Sequence, residues 1–304
     1  MFVLYINDLP EVVDKDTFVY LFADDTKLFR KIKSLEDVKI LQNDINKLVE
    51  WSDRWLLKFH LDKCIYIGIG YNKDNIIEGK YNMNGHILKK SDCEKDIGVY
   101  IDSKLKFETH INKAVNKANS ILAITRKTFD YMDAQIFKNI FKGLVRPHLE
   151  YGWPIWSPHL IKYIDIIENV QRRATKMVPG LSNLSYPERL ETLKLPTLTY
   201  RRTRGDMIQV YKLLSGGYDE ALPNLLKASN TGLRGNSKKL FVEGGGKDVR
   251  KYNFNIRVTR LWNSLPDHVV KAKDVKAFEI ALDKHWHNQE QMYENHKASI
   301  DIKS

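Results

Sequence analysis

Two cysteines in 304 residues, Cys64 and Cys93, exclude a disulfide framework. With no Cys-x-x-Cys pair and no histidine at ligand spacing, they exclude a zinc module too. Each is expected as a small buried residue in a reducing compartment. No apolar run approaches the roughly 20 residues that a membrane-spanning helix needs, so a soluble, intracellular protein without membrane contact is expected. Gly244-Gly245-Gly246 is not followed by the Gly-Lys-Ser/Thr ending of a P-loop. Internal repeats, heptads and low-complexity tracts are absent. The opening Met1 to Ile6 lacks the basic start, long apolar core and cleavage site of a signal peptide. It also lacks a Ser, Thr, Asp or Asn to cap its first amides, and it is expected to be the interior of a longer element.

An apolar fraction of 43% with 11% aromatics is enough to bury a core. Charge is unevenly placed. Residues 1–104 hold 16 Lys and Arg against 18 Asp and Glu, a net of −2, whereas the remainder holds 33 against 20, a net of +13. A nucleic-acid enzyme needs this separation of carboxylates from a basic surface, because cations on phosphates supply most non-specific affinity. A generally basic, solvated surface accounts for the charge equally well.

Phe18 to Phe29 places the pair Asp24-Asp25 between two apolar, β-favouring runs, the pattern of a β-hairpin. Adjacent carboxylates repel when both are ionised, and a cation before them relieves that. Two hard oxygen ligands on a rigid turn suit Mg²⁺, which takes one or two carboxylates together with waters and substrate phosphates. A polar turn is the plain alternative, and the aromatic and aliphatic flanks favour the metal reading.

Along the chain, Ser34 with Asp37 three residues on makes a capping-box start for a helix reaching about Lys58. Leu35, Val38, Leu41, Ile45, Leu48, Trp51 and Trp55 fall on one face, and the tryptophans are expected as core anchors behind the hairpin. Cys64 to Gly70 and Ile97 to Ile101 read as strands, and Asn84-Gly85 marks a hairpin turn. From Leu105 the pattern turns helical. Ile111, Val115, Ala118, Leu122 and Thr125 make one stripe, with Lys113, Lys117, Arg126 and Lys127 off it. A second helix is expected from Ala134 to Val145, ending before Pro147. A third, from Lys162 to Met177, carries Gln171, Arg172, Arg173 and Lys176. Tyr151, Trp153 and Trp156 are expected to pack in the core, and His148 and His159 match no familiar ligand spacing. A helix from Thr197 to Ser215 carries Arg201, Arg202 and Arg204. Two short helical segments, Arg257 to Leu265 and Val275 to Trp286, close the chain, and residues 227–253 read as a Gly/Lys-rich loop or hairpin.

Leu21-Phe-Ala-Asp-Asp-Thr-Lys-Leu28 resembles the catalytic hairpin of reverse transcriptases from jockey-like non-LTR retrotransposons. Phe2 to Pro10, Trp51-Ser-Asp-Arg-Trp55, Asp62-Lys-Cys64 and Gly98-Val-Tyr-Ile-Asp102 are similar to the segments that surround it. Arg146-Pro-His-Leu-Glu-Tyr151, Gln171 to Lys176 and Trp262-Asn-Ser-Leu-Pro266 are similar to the downstream region, in order. The resemblance implies an α+β fold: a partial polymerase palm over residues 1–104 with a short antiparallel sheet and packed helices, a helical thumb-like region over 105–180, and a C-terminal helical region over 181–304. It implies an RNA-directed DNA polymerase whose intact parent uses two Mg²⁺ ions, an RNA template, a DNA primer and dNTPs. Asp24 and Asp25 would be catalytic metal ligands and Lys63 would lie near the incoming phosphates. Lys113, Lys117, Arg126, Lys127, Arg172, Arg173 and Lys176 would hold nucleic acid. A further palm aspartate and the fingers lie upstream in this family, so the chain alone is expected to be inactive. A non-catalytic nucleic-acid-binding remnant is the alternative.

Overall fold

The computed structural model describes residues 5–70, 77–216, 226, 229, 236–242, 252–287, 292 and 293. The chain divides into two compact units, Met1–Leu105 and Lys106–Ser304, in a mixture of helix and short strands compatible with an α+β class.

In the first unit, β1 (Thr17–Phe22) and β2 (Asp25–Arg30) pair antiparallel from Thr17↔Arg30 to Phe22↔Asp25. Helix α1 (Leu35–Trp55) follows, with the expected capping box between Ser34 and Asp37. Alternation along the strands turns Val19, Leu21 and Leu28 away from the exposed Phe18, Tyr20, Phe22 and Phe29. Leu21 and Leu28 pack on a cluster of Ile6, Leu9, Leu48 and Trp51, and a second cluster gathers Ile45, Tyr81, Met83 and Leu88. The helix thus backs the hairpin with Leu48 and Trp51. Trp55 does not join this core: it is 39% exposed in the last turn, with its ring against Tyr5 at 5.5 Å and Trp51 at 6.4 Å. Leu35 is exposed as well, since α1 first meets the core at Val38.

A single short sheet does not form among the described residues, which hold four separate two-stranded ladders. The strand expected over Cys64 to Gly70 shrinks to β3 (Ile65–Tyr66), paired parallel with β6 (Lys89–Lys90). Gly68 and Gly70 offer no side chains to pack, which weakens a strand there. Strands β4 (Asn82–Met83) and β5 (His86–Ile87) close the Asn84-Gly85 hairpin, whose two turn residues have φ of 52° and 79°. Ile97 is not in a strand: with Gly98 it makes another positive-φ turn, between β7 (Cys93–Asp96) and β8 (Val99–Asp102). Cys64 and Cys93 are half-buried rather than buried.

In the second unit, α2 (Glu108–Thr128) buries the expected stripe of Ile111, Val115, Ala118, Leu122 and Thr125. The next helix does not stop before Pro147. It runs as α3 (Ala134–Ile140), a π-helical turn (Phe141–Val145) and α4 (Arg146–Glu150). Proline lacks an amide hydrogen and crowds the carbonyl four residues back, and the wider π turn just before it accommodates both defects. Past the short α5 (Trp153–Trp156) come α6 (Ile161–Thr175), α7 (Tyr186–Leu193) and α8 (Leu198–Leu214). Trp156 is buried against the His110 ring at 4.9 Å and Trp153 is half-buried, whereas Tyr151 is exposed. The closing elements are α9 (Phe254–Ser264), the unforeseen α10 (Asp267–Val270) and α11 (Val275–His285). Together with α8 they enclose an aromatic cluster around Tyr211, Trp262, Phe278 and Trp286. Most of the loop read over 227–253 lies outside the described residues. Within it, Leu240 is buried and Asn236 donates to the Trp262 and Leu265 carbonyls at 2.9 and 3.0 Å.

Candidate metal and nucleic-acid site

The β1–β2 hairpin turns in two residues, Ala23 and Asp24, and Asp25 is the first residue of β2. Both carboxylates are exposed at the tip. Ala23 sits at φ 53°, a left-handed conformation that glycine adopts freely and alanine does not. Strain of this kind persists where the surrounding structure over-determines it.

The surrounding structure is a polar clamp at the other end of the hairpin. Thr17 and Arg30 face each other across the ladder. The Arg30 guanidinium donates to Asp14 Oδ1 at 2.8 Å and to Thr17 Oγ1 at 2.9 Å, and it pairs with Asp37 of α1 at 3.5 Å. Its side chain is almost wholly buried. The hydrogen bond from Arg30 holds the Asp14 carboxyl below its ordinary value, and the same bond raises the Arg30 pKa. Asp44 of α1, wholly buried, accepts from Thr17 Oγ1 at 2.7 Å and from the Asp14 amide at 2.9 Å. The hairpin is therefore fixed at its root by charge-assisted hydrogen bonds and along its inner face by apolar packing, leaving its acidic tip in solvent.

Two exposed aspartates on a fixed turn are oxygen donors that could hold a divalent cation. No group of three or more His, Cys, Asp or Glu at metal-holding distance exists among the described residues. Asp96, at the end of β7, is an acid that sequence reading passed over, and it forms an ion pair with Lys27 of the hairpin. Lys63 closes a short 3-10 turn (Leu61–Lys63) ahead of β3 and is exposed. It makes no hydrogen bond or ion pair with Asp24 or Asp25 among the described residues.

The basic candidates all lie in the second unit. Lys113, Lys117, Arg126 and Lys127 are exposed on α2, away from its buried stripe. Arg173 of α6 is exposed and donates to Asn119 Oδ1 of α2 at 2.9 Å, tying the two helices side by side. Lys176 is exposed just past the end of α6. Arg172 differs: half-buried, it lies over the Tyr186 ring at 5.1 Å.

Behind it, several of the downstream motif residues are internal rather than ligand-facing. Glu168, fully buried, accepts from Tyr186 Oη at 2.5 Å and from the Leu198 amide at 3.0 Å, and burial raises its pKa. Gln171 donates to Tyr186 Oη and to the Pro196 carbonyl, both at 3.0 Å. Arg202 is buried, Arg204 pairs with Asp283, and Arg257 makes a two-pronged pair with Asp206 at 2.9 and 3.0 Å. The run Arg201-Arg202-Thr203-Arg204 is thus used largely inside the unit.

Compared with known proteins, the chain is 23% identical over 224 residues to the RNA-directed DNA polymerase from mobile element jockey of Drosophila melanogaster, covering 69% of this chain and 23% of that protein. It is 22% identical over 182 residues to the protein of the same name from Drosophila funebris, covering 57% and 19%. An uncharacterized protein of Caenorhabditis elegans is 25% identical over 138 residues, covering 44% and 70%. The chain thus spans about a fifth to a quarter of the length of the jockey relatives it matches. No family model and no solved structure matches it. No helix among the described residues is long and apolar enough to cross a membrane.

Proposed function

We propose that this chain carries a jockey-like non-LTR reverse transcriptase region, that its first unit is the metal-bearing part of a palm, and that residues 105–180 are a thumb-like holder of primer and template. The observation that carries the reading is the strained hairpin, clamped at its root and free at its tip, that displays Asp24 and Asp25 together. These two carboxylates would hold Mg²⁺. A divalent ion there supplies charge neutralisation at the leaving phosphate and a lower pKa for the attacking primer hydroxyl. Lys63 is assigned to the triphosphate of the incoming dNTP, and the exposed bases of α2 and α6 to backbone phosphates of an RNA template and its DNA primer.

A two-ion clamp needs a ligand beyond this pair, and positioning of the nucleotide can account for several kcal/mol of barrier lowering. The further metal ligand and the nucleotide-positioning segments are assigned to parts of the polymerase that this chain does not span, so residues 1–304 alone are expected to show negligible incorporation. Mg²⁺-dependent dNTP incorporation on a primed RNA template is the test. The chain joined to an upstream segment bearing the further aspartate should incorporate, and Asp24→Ala or Asp25→Ala in it should abolish the signal. Undiminished incorporation by either variant would remove the metal assignment. Robust incorporation by residues 1–304 unextended would remove the division between the two segments.

A further inference from the structure

Outside the surface already assigned, a run of positive charge follows the continuous rod from α3 through the π turn to α4. Lys138, Lys142 and Arg146 follow one another at four-residue intervals, which brings side chains to the same side of a helix. Arg201 reaches the same place from α8: its Nε and Nη2 grip Glu150 at 2.5 and 3.0 Å, while Arg146 Nε stands 3.6 Å from that carboxylate. Glu150 is the only carboxylate paired with any of the four cations among the described residues, and Arg201 already occupies both of its oxygens. Arg146 and Arg201 therefore share one carboxylate, and Lys138 and Lys142 have no ion pair among the described residues.

The cluster is also partly desolvated. Arg146 and Arg201 have side chains only 16% and 24% exposed. Desolvation, then the charges of Arg146, Lys138 and Arg201, lower the pKa of the Lys142 ammonium from its ordinary value, although Lys142 itself is exposed. Like charges drawn together and away from water are stabilised by an anion with several oxygens, and a guanidinium fork beside flexible ammonium groups matches phosphate.

We propose that Lys138, Lys142, Arg146 and Arg201 form a phosphate-binding site, filled by backbone phosphates of a nucleic acid or by a free polyphosphate. The first source rests on the nucleic-acid reading above; the second does not.

The test uses the full chain and two probes, a primed RNA duplex and inorganic tripolyphosphate, with binding followed against salt. Lys138→Gln/Lys142→Gln removes two cations from partly solvated positions, and Lys138→Arg/Lys142→Arg keeps their charge. Lys113→Gln/Lys117→Gln probes α2 separately. If backbone phosphates fill the site, the Gln pair lowers the salt slope for the duplex by roughly 1.4–1.8, about 0.7–0.9 per lost contact, and the Arg pair restores it. If a free polyphosphate fills it, the Gln pair weakens tripolyphosphate alone. Should the duplex not bind at all while tripolyphosphate binding still falls in the Gln pair, the nucleic-acid reading fails and the phosphate site stands. Should α2 substitution weaken the duplex while the Gln pair changes neither probe, the site is overturned and the nucleic-acid reading stands. If neither probe binds, both are overturned.

Discussion

Thr17 Oγ1 donates to Asp44 Oδ2 at 2.7 Å, joining the first residue of the acidic hairpin to the buried middle of α1. Through this bond the helix helps to fix where Asp24 and Asp25 stand, seven and eight residues further along the hairpin. Asp44→Ala would leave Thr17 and the Asp14 amide without their acceptor. Each polar group stranded in this way costs about 1–3 kcal/mol, so a loss of roughly 2–6 kcal/mol in the first unit is expected for the two. Hydrogen exchange of residues 17–30 checks it, and protection equal to that of the unaltered chain would show that apolar packing alone holds the hairpin.

Acid should loosen the same clamp. The Asp14 carboxyl is held below its ordinary 3.8, first by the hydrogen bond from Arg30. A depressed carboxylate stabilises the fold fully above its unfolded pKa, and that contribution fades as pH falls through the lower folded value. Arg30 stays charged throughout. The stability difference between the unaltered chain and Asp14→Asn should therefore be constant above about pH 5 and close below about pH 4. A difference that persists unchanged to pH 2 would assign the effect to something other than this ionisation.

Ala23→Gly is expected to stabilise the hairpin. Alanine in the left-handed region costs about 1–2 kcal/mol, offset in part by the extra freedom glycine has in the unfolded chain. A net gain of roughly 0.5–1 kcal/mol in local opening free energy follows, measurable by hydrogen exchange at Asp25 and Thr26. Reduced protection there would mean that the Ala23 methyl group makes a contact worth more than the strain it causes.

The hairpin and the helix behind it were legible because each is a local pattern. Alternating residues around Asp24-Asp25, the Ser34–Asp37 box and the stripe from Ile111 to Thr125 all report on backbone periodicity. What escaped depends on partners far along the chain. Trp55 has helical spacing identical to that of Trp51, yet its exposure is decided by where the helix ends relative to the sheet. Arg172 reads as a nucleic-acid-facing base until Tyr186 arrives from α7, and the burial of Arg202 of α8 depends on Glu168 of α6 as well as on Asp206 one turn along its own helix. The extension of a helix through Pro147 rests on a π turn, which no propensity announces. Lys138, Lys142 and Arg146 stand in the sequence at four-residue spacing, but only the fold adds Arg201 and sets it with Arg146 on the one carboxylate of Glu150.

Gly205 offers the sharpest test of packing in the second unit. It lies in α8, where alanine is ordinarily worth about 1 kcal/mol more than glycine. Here a Cβ would fall 1.9 Å from Cζ2 of Trp153, so the helix can approach the indole this closely only without a side chain. The indole is held in the short α5, which Arg257 reaches through the Pro154 carbonyl at 3.1 Å. Gly205→Ala is therefore expected to destabilise the unit by about 1–3 kcal/mol, the usual cost of overpacking, despite the better helix propensity. Trp153→Leu opens the space and should cost about 2–4 kcal/mol by itself. The two together should be less harmful than their sum, with a coupling of roughly 1 kcal/mol or more in a double-mutant cycle of denaturant unfolding. Strict additivity would show that α8 and the indole do not constrain each other. Because α8 also carries Arg201, the same cycle run with tripolyphosphate should show weaker binding in Gly205→Ala and partial recovery in the double variant.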